Sequence, residues 1–330
     1  MADAITLASD LKIYHKYLDL GFTETVAQYL QMFNAGTRGA IVLNSDFAEG
    51  AYKYQSFFKE VSSLVTRRDL TSAADIDTLK MTQDEIVAVK LSRKAGPVRS
   101  AIGAFLRKGL SMQTISIMMG RQLAQAELQD KLNSALISVV ASLDGTATLK
   151  HDATDGTVAH TDILTGISKR ADRFADLVAL VMHNKPFFDL VADGAANYKV
   201  DMIAGETLRN GFFGTAFGLP VFVTQDTALV NTAGISTSTD SYYTVGLVPG
   251  GVTISDAQPR VAAFEVVTGN EQILVDWQAE FDYTVEVAGM KWDVANGAEN
   301  PTDAALATTT NWDQAATDTR NLAGVIVESR

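Results

Sequence analysis

Four histidines and no cysteine bound the chemistry open to this chain. His151 and His160 flank the loop DATDGTVA with Asp152 and Asp162 beside them, and these are side-chain types that hold divalent metals. A polar loop facing water is the simpler account of the same residues. His183 closes an apolar run next to Asn184 and reads as a hydrogen-bonded strand end rather than a general base. Asp293 to Asp303, DVANGAENPTD, is rich in oxygen ligands but lacks the regular spacing and closing Glu of a calcium loop. Phe212, Phe213 and Phe217 read as a core cluster, with a ligand platform as the lesser alternative. No nucleophile elbow, zincin, P-loop or dinucleotide-binding pattern occurs. Without cysteine, disulfides, thiolate nucleophiles, Cys-held zinc and iron–sulfur clusters are excluded. The sequence therefore assigns no catalytic residue, no cofactor and no metal.

What remains is charge. Arg67, Arg68, Asp69, Lys90, Arg93 and Lys94 lie along residues 56–97, a stretch that reads as an extended arm. SFFKEVSSLVTRRDL leads out, and EIVAVKLSRK returns with Val87, Val89 and Leu91 alternating with Ala88 and Lys90. Between them TSAADIDTLKMTQDE is polar and turn-rich, and Ala95-Gly96-Pro97 is expected to close the arm. A long hairpin with little apolar material is marginal alone. It needs a neighbour to lie on, and the six charged residues are candidate contacts to that neighbour.

The element that must anchor such an arm is the stretch from Ser111 to Leu143. It has no proline, and apolar residues recur at helical spacing from Met112 to Leu143. Ser111 is a candidate N-cap and Asp144-Gly145 a stop. The rod would be roughly 50 Å long at about 1.5 Å per residue. Residues 6–34 also read as helical, with stripes on either side of Gly21. Phe33 to Asp46 then holds a turn and a short strand, Ala40 to Leu43.

Downstream, Asp162 to Asp176 is expected to be helical and Leu177 to His183 a buried central strand. Asn184-Lys185-Pro186 opens a further helix ending at Gly194. Strands follow at Val221 to Val223 and on both sides of Pro249-Gly250-Gly251. A hairpin turns at Thr268-Gly269-Asn270. Trp292-Asp293 and Trp312-Asp313 form a weak repeat. With 330 residues, 47% hydrophobic and 20% charged, the chain has material for a large core or two smaller ones.

Residues 1–150 hold 17 Lys and Arg against 15 Asp and Glu, whereas residues 151–330 hold 10 against 24. The acidic second half argues against tight wrapping of nucleic acid. The first residues show no secretory signal, and no apolar run approaches the roughly 20 residues of a membrane span. A soluble protein made in the cytoplasm is expected.

The order of parts resembles a major capsid protein of a tailed bacteriophage with the HK97-like fold. FNAGTRGAIVL precedes the arm, and the arm leads into the long helix. VALVMHNKPFFDLVADG is similar to the strand and helix that open the axial domain of that family. GLPVFVTQD and VGLVPGGVTI resemble its later strands, and EFDYTVEVAGMKWDV with NPTDAALATTTNWD resembles its closing strand and tail. The resemblance implies an α+β fold: an N-terminal arm at 1–50, an extended β-hairpin loop at 51–97, and a peripheral domain at 98–159 with a spine helix at 111–143. The axial domain would be 160–255, with peripheral return strands and the C-terminal tail at 256–330.

That resemblance further implies a structural protein, not an enzyme, which self-assembles as hexamers and pentamers into the icosahedral head shell of a tailed phage. The shell would assemble in the host cytoplasm and form the virion capsid. Double-stranded DNA would be enclosed without specific contact. A scaffolding protein, a portal and a decoration protein are the implied partners, with no membrane. Two alternatives keep their place: an encapsulin-like compartment for protein cargo, and a soluble α/β enzyme or ligand-binding protein.

Overall fold

The computed structural model describes residues 22–26, 37–44, 50–59, 78–101, 112–196, 212–216, 218–236, 239–269 and 271–330, with the isolated positions 64, 65, 67, 68, 71, 103 and 107. In chain order the elements are β1 (Ile41–Asn44), β2 (Tyr52–Phe58), β3 (Gln83–Ala101), α1 (Met112–Asp144), β4 (Lys150–Ala153) and α2 (His160–Ser168). There follow β5 (Ala179–His183), α3 (Asn184–Ala196), β6 (Phe212–Ala216), β7 (Leu219–Thr224), β8 (Val230–Ser236) and β9 (Thr239–Leu247). The chain closes with β10 (Val252–Val267), β11 (Leu274–Val287), β12 (Met290–Trp292), α4 (Asp303–Leu306), β13 (Trp312–Gln314) and β14 (Gly324–Ser329). The expected helix over 6–34 lies outside the described residues, apart from a helical piece at 22–26.

The long helix forms where its spacing predicts. Its halves differ in environment. In the N-terminal half Arg121, Gln122, Gln125 and Ala126 face solvent, while Ile115 and Leu123 are buried. From Ser134 to Leu143 every residue is buried. A helix end with no exposed face must be packed on several sides, and here two sheets supply the walls.

One sheet has the order β1-β10-β11-β3-β2. Its three long members run antiparallel to one another in turn, β10 to β11 and β11 to β3, whereas β1 pairs parallel with β10. On β11, Val275, Trp277, Ala279, Phe281, Tyr283 and Val285 are buried, while the residues between them carry most of its charge. This is the period-two alternation of a sheet with one face on a core. Leu123 of α1 packs against Trp277 and Ala279.

The other sheet has the order β4-β14-β9-β5-β7-β6, with β8 paired to β9. β5 sits between β9 and β7, the central place expected for its continuous apolar run. Its residues divide by face. Ala179 and Val181 belong to the same core cluster as Val139, Leu143 and Tyr283, whereas Leu180 and Met182 pack with Ile163, Phe187 and Leu190 of α2 and α3. Gly166 makes the second packing close, since a Cβ there would fall 2.3 Å from a methyl of Val327.

Several boundaries differ from those the sequence suggests. β3 does not close at Ala95-Gly96-Pro97 but continues through it to Ala101, with its register to β11 shifted between Trp277 and Ala279. An edge-ward irregularity can absorb the donor that proline lacks. The helix expected over 162–176 stops at Ser168, and a 3-10 turn covers Ala171–Asp176. Ala171 at φ +51° interrupts the helical backbone between them. α3 runs through Gly194 to Ala196. The C-terminal strand β14 lies between β4 and β9, and β10 begins at Val252, so the two sheets draw strands from both sides of the positions 159/160 and 255/256.

Candidate assembly interface

The arm grows out of the core. Val87, Val89 and Leu91 of β3 are buried at its root, where β2 pairs antiparallel from Tyr52 opposite Val89 to Phe58 opposite Gln83. Lys59 donates its backbone N–H to the carbonyl of Thr82, and its ammonium lies 2.7 Å from Asp84. Hydrogen bonds from Lys59 and from the backbone of Glu85 hold the Asp84 carboxyl below its ordinary range. On both sides of this clamp apolar side chains lack cover: Tyr54, Phe58, Leu64, Val65, Leu79 and Met81 are all exposed, Val65 at 94%. So many large apolar groups on one projection mark an interaction surface.

The six charged candidates divide. Arg67 and Arg68 stand exposed on the arm, and Asp69 lies outside the described residues. Lys94 is exposed on β3, opposite Glu280 in the register with β11. Lys90 is buried, its ammonium 3.4 Å from Asp282. Arg93 turns towards the helix, with Nη2 donating to Asp303 Oδ1 at 2.6 Å and Nε 3.3 Å from Asp130 Oδ2. Lys90 and Arg93 therefore tie β3 to its own chain, whereas Arg67, Arg68 and Lys94 face outward.

Around Arg93 is a polar cluster with little sequence signature. The Tyr283 hydroxyl donates to Asp130 at 2.7 Å and also meets Ser134 Oγ at 2.8 Å. Burial pushes its pKa above the usual tyrosine range, and the Asp130 charge adds to that. One turn away, Lys131 donates to Glu127 and Asp256 at 2.7 and 2.6 Å. Burial alone would lower the Lys131 pKa, but the two carboxylates outweigh it and hold it raised. The spacing of Glu127 and Lys131, four apart on a helix, is the one local signal that could have exposed this cluster. Asp303 is 210 residues from Arg93 and gives none.

A second cluster fastens the other sheet to the end of α1. Lys150 lies 2.6 Å from both Asp144 and Glu328, and Glu328 accepts from Ser241 and Asn231. Burial raises Glu328, but these donors more than offset it and leave its pKa lowered.

The described histidines, His151, His160 and His183, do not converge. His160 Nδ1 is 2.6 Å from Asp193, and His151 Nε2 is 3.6 Å from Asp162, which also accepts the backbone N–H of Ala159. Asp152 accepts from Thr154. Among the described residues no group of three His, Asp or Glu side chains is placed to hold a metal. His183 accepts from the Lys185 N–H at 3.3 Å and stacks on Tyr242 at 5.0 Å. Asp293 accepts from the backbone of Ala295, within its own turn. The side chains of Phe212, Phe213 and Phe217 lie outside the described set.

A cleft of about 770 Å³ opens between α1 and the end of β7, lined by Leu132, Leu136, Val181 and Phe222. Its two acids are engaged, Asp130 with Tyr283 and Asp226 with the Ala228 N–H. No nucleophile–base pair faces it among the described residues. No described helix is long and apolar enough to cross a membrane.

Against known proteins, the family model "Gp13-like: Major capsid protein 13-like" matches residues 10–326. No curated protein matches. Among solved structures, the fold is similar to the capsid of Helicobacter pylori bacteriophage KHP30, at TM-score 0.55 and 11% identity over 90% of this chain and 89% of that one. It is also similar to the cyanophage Pam1 capsid, at TM-score 0.53 and 13% identity over 75% and 84%. The mature capsid of bacteriophage PhiM1 matches at TM-score 0.51 and 13% identity over 89% and 86%.

Proposed function

The chain belongs to the major capsid protein 13-like family, and from that premise we propose how it builds its shell. Its role is structural: copies associate into the head shell of a phage. The finer reading is an HK97-like subunit of an icosahedral head, arranged as hexamers and pentamers around packaged double-stranded DNA. In this reading α1 is the spine, and β10, β11 and β3 with it form the peripheral part. The β4–β9 sheet with α2, α3 and β14 forms the axial part, and β2 with the start of β3 forms the extended loop. Arg67 and Arg68 at the loop, with Lys94 on β3, are the proposed inter-subunit contacts. A scaffolding protein, a portal and a decoration protein are its proposed partners, and the host cytoplasm the proposed place of assembly.

The observation that carries the reading is the arm. It is rooted in the core through Val87, Val89 and Leu91, yet it presents uncovered apolar side chains from Tyr54 to Met81. Burying such surface is worth about 25 cal/mol per Å², and a second copy is the partner always present at equal concentration. In a closed shell the same contact repeats by symmetry.

The test is to express the chain alone and with a candidate scaffolding protein, then measure particle mass by light scattering and shape by negative-stain microscopy. Closed shells of uniform size are expected in at least one condition. A uniform monomer or dimer in both would overturn the reading.

A further inference from the structure

The turn that follows β12 contains Asn296-Gly297, one of two Asn-Gly pairs in the chain, the other being Asn210-Gly211. In such a pair the main chain can attack the side-chain amide, because glycine has no side chain to shield its nitrogen or restrict its backbone. The Gly297 nitrogen adds to Asn296 Cγ, the Cγ–Nδ2 bond breaks, and the proton from nitrogen leaves with the departing ammonia. The resulting succinimide takes up a water and opens to aspartate or, at its other carbonyl, to isoaspartate. Water is the one co-reactant.

The reacting groups are each tied to Asp293. The Gly297 N–H donates to the Asp293 carbonyl at 2.7 Å, which closes a single helical turn. The Asn296 carboxamide donates through Nδ2 to Asp293 Oδ2, and Asp293 Oδ1 accepts the Ala295 N–H at 2.8 Å. These donors, the Asn296 amide first, hold the Asp293 carboxyl below its ordinary range. Asp293 is fixed in turn, its own N–H donating to the Asn311 carbonyl at 2.9 Å. Asn296 is exposed to water, whereas Gly297 is buried against the Trp292 indole, where a Cβ would fall 2.4 Å from a ring carbon. Closing the succinimide must rotate the peptide between Asn296 and Gly297. That rotation breaks the Gly297 hydrogen bond and moves the glycine against a ring packed edge-to-face on Trp312.

We propose that Asn296-Gly297 is a deamidation site held closed by Asp293, whose carboxylate engages the carboxamide while its carbonyl engages the attacking nitrogen. Asp293 is thus a positioning residue for a reaction that the folded chain suppresses. Its failure would be costly. Isoaspartate lengthens the main chain by a methylene and adds a charge beside Trp292, at a place with no room for a methyl group. The turn therefore sets how long the C-terminal core stays chemically intact, whatever the chain assembles into.

The full chain is incubated in mildly alkaline buffer, folded or in urea, and peptide mass spectrometry locates the gain of mass while chromatography separates the isoaspartyl product. In urea Asn296 and Asn210 are expected to convert at comparable rates, which makes Asn210 the internal clock. In the folded chain conversion at Asn296 is expected to be about 10- to 100-fold slower than in urea. Asp293→Ala should raise the folded rate about threefold or more and leave the urea rate unchanged. Asp293→Asn, which keeps an acceptor oxygen, should restore most of the protection, a rescue that a merely destabilised turn would not give.

Equal folded and urea rates in the parent would overturn the proposal. So would an Asp293→Ala chain that is folded by circular dichroism yet converts no faster than the parent. Hydrogen exchange at the Gly297 amide needs no variant and decides the matter even where Asp293→Ala fails to fold. Slow exchange is expected in the parent, and exchange at the rate of an unstructured peptide would sink the closed turn.

Discussion

Trp292 and Trp312 stand opposite each other in the β12–β13 ladder, with ring centroids 5.1 Å apart and planes at 79°. The edge-to-face pair closes the core beneath the C-terminal segment. The Trp312 indole N–H donates to the Leu306 carbonyl at 3.0 Å, which fixes the short helix α4 on top. Gly297 lies against the other ring, where a Cβ would approach Trp292 to 2.4 Å.

Trp312→Ala is therefore expected to cost about 3–5 kcal/mol, through a cavity and a lost aromatic contact. Gly297→Ala should cost about 1–3 kcal/mol by overpacking against the fixed ring. Denaturant unfolding followed by tryptophan fluorescence measures both. A Gly297→Ala chain as stable as its parent would show that the loop moves aside freely.

Lys131 holds two carboxylates, one of them, on Glu127, buried with it. Lys131→Met leaves Glu127 charged in a buried site, and a loss of about 3–5 kcal/mol is expected. Glu127→Gln combined with Lys131→Met should be less harmful than Lys131→Met alone, because the unpaired charge is gone. Chemical denaturation of the three variants decides it, and the order of the two altered chains is the informative result.

Shortening the arm separates folding from assembly. Residues 60–81 can be replaced by Asn-Gly, which joins Lys59 to Thr82 where the backbone hydrogen bond already brings the strands together. The unfolding temperature is expected to change little, since the buried anchors Val87, Val89 and Leu91 remain. Shell formation is expected to vanish. A cut extending to Lys90 would instead remove Val87 and Val89 from the core and unfold the body.

Acid should weaken the subunit in a defined window. Lys150, Ser241 and Asn231 lower Glu328 against the effect of its burial, hydrogen bonds from Lys59 lower Asp84, and those from Arg320 hold Asp318 at about 2. Carboxyls held below their unfolded values contribute stability that is complete above about pH 5 and disappears as pH falls through the folded values. Melting temperature measured from pH 7 down to 2.5 should be flat at first and then fall. In an Asp318→Asn chain the last part of that fall should be smaller, and an unchanged profile would remove Asp318 from the account.

Much of the architecture is written locally. The uninterrupted apolar repeat from Met112 to Leu143 gives the long helix, and period-two alternation from Phe281 to Val287 gives β11. The turn at Pro249-Gly250-Gly251 separates β9 from β10 where expected. What could not be read locally depends on contacts far apart in sequence. Lys90 and Arg93 look like surface charges until Asp282, Asp130 and Asp303 are brought to them. Gly96-Pro97 looks like a stop until the β11 ladder carries the strand past it. The spacing of Trp292 and Trp312 becomes meaningful only when two short strands place the rings together. On the arm, Arg67 and Arg68 are exposed, as a solvent-facing assignment puts them.

The direction of β3 has a mechanical consequence. A pull on the arm acts along the strand axis, and from Ala101 to Val89 the strand is bonded side by side to β11. Force applied in that direction loads the rungs of the ladder together, in shear, rather than opening them one after another as a peeling force would. The tether is strongest along its own length, so a tensile load passing from one subunit to the next would be spread over the whole ladder before any single rung had to yield.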